Sequence, residues 1–128
     1  MFAFFRRSRS ATFAAAAALM FYGAAPAIAH SALHHSEPAG GAVLRVAPPT
    51  LILAFNAPVR VTALRLLDES GRERRLAREG ERGAAVQEVR AAVRDTLVPG
   101  AYRVEWRGAS SNGHVGGGVV EFRIEPAE

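Results

Sequence analysis

The chain has 128 residues, 49% of them hydrophobic, with sixteen Lys plus Arg against twelve Asp plus Glu and no cysteine. Three of the arginines, Arg6, Arg7 and Arg9, fall in an N-terminal segment that reads as an export signal, leaving thirteen basic residues against twelve acidic in the remainder. That balance gives nucleic-acid binding little support, and the missing cysteines exclude a disulfide framework and thiolate chemistry.

In the export segment, Ala11 to Ala25 is an alanine-dominated apolar run, short for a membrane span. Ala27-Ile28-Ala29 then fits an A-x-A cleavage site. Cleavage after Ala29 assigns residues 1–29 to a signal peptide and 30–128 to one mature domain with a modest core; the alternative is an uncleaved signal anchor. No second apolar run of membrane length follows. The mature protein is therefore expected to be soluble, outside the cytoplasm and without stable membrane insertion. Met1 and Met20 leave with the signal, so no thioether remains as a metal ligand.

His30 would then be the first residue, with two nitrogen donors, the α-amine and the imidazole. Their unperturbed pKa values, ~7.7–8.0 and ~6.5, let both deprotonate for a metal near neutral pH. His34 and His35 follow within the same short stretch. Adjacent histidines on a strand point to opposite faces, and no specific role is assigned to this pair. Glu37-Pro38-Ala39-Gly40-Gly41 reads as a turn.

After Pro48-Pro49, Leu51, Leu53 and Phe55 alternate as one buried face of a strand, which Asn56-Ala57-Pro58 is expected to break. Val59 to Leu67 is a second strand-like run. Asp68-Glu69-Ser70-Gly71 is a turn, Arg72 to Leu76 returns the chain, and Arg78 to Gly83 reads as a solvated loop. Val86 to Val93 is assigned as a strand from its neighbours.

Leu97-Val98-Pro99-Gly100 is a turn, after which Tyr102, Val104 and Trp106 alternate with Arg103, Glu105 and Arg107 as a half-buried strand. Tyr102 is placed to bond back to upstream backbone as a tyrosine corner. A loop is expected from Gly108 to Gly118, with Gly116-Gly117-Gly118 as its flexible exit. Val120, Phe122 and Ile124 then close the domain. Short strands punctuated by Gly and Pro, with no helix after the signal, point to an all-β sandwich.

The fourth histidine of the mature domain, His114, lies in the polar loop Ser110-Ser111-Asn112-Gly113-His114. A loop at the end of a sandwich can lie beside the N-terminus. Amine and imidazole from His30 plus imidazole from His114 make three nitrogens in a T, which suits tetragonal Cu(II). Asn112 is the candidate for an oxygen ligand. The alternative for His114 is a solvated loop histidine, and for Asn112-Gly113 a plain turn. No H-E-x-x-H, G-x-S-x-G or phosphate-binding glycine loop is present, so no catalytic residues are assigned.

Several segments, in order over nearly the whole mature chain, resemble the CopC family. His30-Ser31-Ala32-Leu33 with Ser36-Glu37-Pro38-Ala39-Gly40-Gly41 is similar to its H-A-x-L-x-x-S-x-P-A-x-G opening. Leu51 to Val59 is similar to its L-x-L-x-F-S-E-P-V strand. Ser110 to His114, with Gly117 or Gly118 beyond, is similar to S-x-D-G-H-x-x-x-G, and Pro99 to Arg107 also fits.

The resemblance implies a small immunoglobulin-like (cupredoxin-like) Greek-key β-sandwich in the periplasm. It implies a copper-resistance or copper-uptake role, Cu(II) on His30 and His114, and an inner-membrane CopD-like partner for transfer. Asn112 stands where the family usually has an aspartate ligand, which implies weaker binding, or water, His34 or His35 as a substitute. The methionine-rich Cu(I) site of some members is absent.

The function expected is a monomeric Cu(II) carrier or buffer acting by ligand exchange, not an enzyme. Two alternatives are a copper oxidative enzyme with the same terminal-histidine chelate, like polysaccharide monooxygenases, and a metal-independent immunoglobulin-like interaction module.

Overall fold

The computed structural model of the chain describes residues 32–127. Its eight elements are all strands: β1 (Leu33–Glu37), β2 (Ala42–Leu44), β3 (Thr50–Leu67), β4 (Glu73–Arg74), β5 (Leu76–Arg78), β6 (Ala85–Val93), β7 (Gly100–Ser110) and β8 (Val115–Ile124). The strand order is β2-β8-β7-β3-β6-β5, with β1 and β4 also paired to β3. The expected all-β sandwich is what forms.

β3 organises it. β1 pairs with its first part, Ile52–Phe55, and β7 and β4 with its last part, Val59–Leu67, while β6 pairs with Thr50–Ala54 and again with Val59 and Arg60. This single strand thereby serves both layers. Asn56-Ala57-Pro58 does not end the strand; these exposed residues fall where pairing with β6 jumps from Ala54 to Val59. A proline has no N–H to give to a ladder and is tolerated at such a bulge, so the expected break is a bend in a continuous strand.

The core follows the alternation in the sequence. Leu51, Leu53 and Phe55 are buried on β3, Tyr102, Val104 and Trp106 on β7, and Val120, Phe122 and Ile124 on β8. Each large side chain taken fully out of water contributes about 1.5–3 kcal/mol. Phe55 meets Trp106 edge-on at 5.0 Å between ring centroids, joining β3 to β7, and Tyr102 stacks on Phe122 at 5.4 Å. The Tyr102 hydroxyl donates to the carbonyl of Val98, four residues upstream, and forms the expected corner.

Two loops differ from expectation. Arg78 belongs to β5 and is half-buried, its Nη1 donating to the Val61 carbonyl at 3.2 Å; the solvated loop begins only at Glu79. The loop expected over Gly108–Gly118 contracts to a tight turn, because β7 and β8 stay paired as far as Ala109 and Val115. Gly116, Gly117 and Gly118 are strand residues opposite Gly108, Arg107 and Trp106.

Candidate metal centre

The β7–β8 turn is closed by its own polar groups. Ser110 N–H donates to the His114 carbonyl at 2.9 Å, and Gly113 N–H to the Ser110 carbonyl at 2.9 Å. Gly113 has φ +83°, a conformation that glycine adopts without steric cost. The Asn112 side-chain oxygen accepts from the Ser110 hydroxyl and, at 3.4 Å, from the His114 N–H. An asparagine acting on its own turn in this way has its side-chain oxygen engaged by the turn.

The His114 side chain is exposed at the end of this turn and borders a cavity of about 220 Å³. Ala32, Val59, Trp106, Gly108, Ser110, Val115 and Gly116 also line it, and among the described residues no carboxylate does. The backbone is close-packed here, since a Cβ on Gly108 would lie 2.5 Å from the Val59 Cγ1. Beside the cavity, a Cβ on Gly118 would lie 2.9 Å from the Trp106 Nε1, and one on Gly117 2.5 Å from the Trp106 carbonyl. The glycines thus make room for Trp106, whose indole N–H is buried without a hydrogen-bond partner among the described residues. Ala32, two positions after His30 in sequence, lines this cavity.

The CopC domain model matches residues 33–125 of the sequence. The chain belongs to the CopC family. A solved structure similar to this CopC chain is CopC from Methylosinus trichosporium, 27% identical, with a TM-score of 0.65 over 77% of this chain and 97% of that one. PcoC, a copper resistance protein from Escherichia coli, is 25% identical, with a TM-score of 0.57 over 73% and 98%. A second PcoC structure, described as a methionine-rich copper resistance protein, is 25% identical, with a TM-score of 0.53 over 73% and 97%. No curated protein sequence matches the chain.

Of the residues expected to bind metal in this CopC chain, His114 and Asn112 share the β7–β8 turn, and His30 lies outside the described residues. Among the described residues no three His, Cys, Asp or Glu side chains cluster to hold an ion. His34 and His35 are both exposed on β1, and neither lines the cavity. Their strict opposition is lost because the pairing of β1 with β3 shifts between Leu33 and His35. His35 instead faces Glu37, Nε2 to Oε1 at 3.4 Å. Sequence reading missed the service of Gly117 and Gly118 to Trp106. Their position opposite a strand that carries a large aromatic was the available signal.

Proposed function

We propose that this chain is an exported periplasmic Cu(II)-binding protein, a carrier or buffer in copper resistance, homeostasis or uptake, and not an enzyme. In this reading residues 1–29 are a cleaved signal peptide, and the mature monomer begins at His30. The observation that carries it is that Ala32 and His114 line one cavity. In this reading the amine and imidazole of His30, two residues before Ala32 in sequence, join the His114 imidazole at that cavity. Three nitrogens and no sulfur suit tetragonal Cu(II) better than Cu(I). Membership of a family whose relatives include a named copper resistance protein supports copper as the cargo.

The fourth position falls to water, because the Asn112 oxygen is engaged within its own turn. Asn112 becomes a direct ligand only by giving up those bonds. A water ligand beside an exposed imidazole keeps the ion open to exchange, so copper passes to a CopD-like membrane partner by ligand substitution without change of oxidation state. All four aromatic residues of the described chain, Phe55, Tyr102, Trp106 and Phe122, are buried. None is left to stack a sugar, which argues against a polysaccharide oxidase.

Trp106 is the chain's sole tryptophan and borders the same cavity, so paramagnetic Cu(II) bound there quenches its emission. One equivalent of Cu(II) is expected to quench the protein purified after export, and His114→Ala to abolish quenching at that concentration. Equal quenching in His114→Ala would rule out the site.

A further inference from the structure

A second concave surface lies along β3, β4 and β5, a groove of about 910 Å³ lined by Arg65, Arg74, Arg75, Arg78, Arg82 and Arg94 and by a single carboxylate, Glu73. Three of these cations have acidic partners: Arg65 with Glu73 at 3.5 Å, Arg74 with Asp68 at 3.4 Å and Arg75 with Asp95 at 2.8 Å. Arg78, Arg82 and Arg94 have none among the described residues. The Nε atoms of Arg74 and Arg78 are buried without a hydrogen-bond partner among the described residues. A buried donor left unmade is costly, and guanidinium forks match carboxylates two bonds at a time. Burial, and then the neighbouring charge of Arg82, lower the pKa of Arg78, as expected of a cation lacking its counter-charge.

We propose that this groove docks an acidic, extended segment of a partner protein, its carboxylates taken by the guanidinium groups of Arg78, Arg82 and Arg94. Between Arg60, the last β3 residue paired with β6, and Leu66, the first paired with β4, β3 has no strand on this side. That open edge suits a polypeptide. A membrane surface fits less well, because the exposed large apolar residues Val43, Val46, Val98, Val115 and Val119 all lie outside the groove.

The test uses metal-free protein purified after export, so its result does not depend on the copper reading. Fluorescence anisotropy follows a labelled octapeptide alternating Glu and Ser. Binding is expected to weaken at least tenfold in Arg82→Glu/Arg94→Glu and less in Arg82→Gln/Arg94→Gln. Both sites are exposed, and an unchanged melting temperature verifies folding. Arg123→Glu, exposed on β8 outside the groove, is expected to leave binding intact. Equal loss in Arg123→Glu would reduce the effect to general charge and overturn the groove. Phosphatidylglycerol vesicles or inorganic phosphate binding where the peptide does not would overturn the peptide assignment.

Discussion

At the residue scale the chemistry turns on position 112. The Asn112 oxygen already serves Ser110 and the His114 N–H. A carboxylate at this position can keep both bonds with one oxygen and present the other, with its charge, to an ion. Asn112→Asp is therefore expected to tighten Cu(II) binding by roughly tenfold or more, about 1.4 kcal/mol per decade, in a chelator-competed titration. Unchanged affinity would mean that position 112 never faces the metal. His114 and Asn112 were legible as candidates because a polar glycine-rich turn sits between two well-patterned strands. The inward aim of the amide was not, because it depends on β7–β8 pairing continuing to Ala109 and Val115 and so delivering the Ser110 hydroxyl.

At the scale of elements, β7 is held near its start by Tyr102 and at its middle by the packing of Trp106, and single substitutions disturb each. Tyr102→Phe deletes the hydroxyl that holds the Val98 carbonyl and is expected to cost about 1–2 kcal/mol in denaturant unfolding. Gly118→Ala forces a Cβ to within 2.9 Å of the Trp106 Nε1. Overpacking of this kind costs about 1–3 kcal/mol, and the displaced indole should shift its emission. Gly116→Ala meets nothing within 4 Å and is the near-neutral control. The alternation of Tyr102, Val104 and Trp106 made β7 readable from sequence, as did that of Leu51, Leu53 and Phe55 for the first part of β3. The three glycines read as a loop because glycine ordinarily weakens a strand. For Gly117 and Gly118 the reason sits on the neighbouring strand, where one-dimensional pattern does not reach. The Asn56-Ala57-Pro58 signal was real, but the chain meets it with a bend.

For the molecule from residue 30 onward, a near balance of thirteen basic and twelve acidic residues conceals a sharp separation: six arginines gather in one groove. Net counting could not show this, because β3, β4 and β5 are brought together only by folding. The two aspartates, Asp68 and Asp95, anchor its rim, and both carboxyls are held below the ordinary value of 3.8. Asp68 is held chiefly by the Ser70 hydroxyl, then by the Arg72 N–H; Asp95 is held chiefly by the Arg75 N–H, then by its guanidinium. A lowered native pKa gives stability that is present above 3.8 and lost as pH falls through the native values. Burial raises the Tyr102 phenol above 10.0, so its contribution is full below pH 10.0 and lost as pH rises beyond it. The melting temperature should fall on both flanks, and Asp95→Asn should flatten the acid one; an unaltered acid limb would contradict this. The central claim is met most directly by a chelator-competed Cu(II) titration, read by electron paramagnetic resonance, of protein beginning at His30 and of the same protein with one residue added before it. The account predicts one equivalent with a nitrogen-rich tetragonal signal in the first and loss of that signal in the second. Identical spectra and affinities in the two would contradict a site built on the terminal amine.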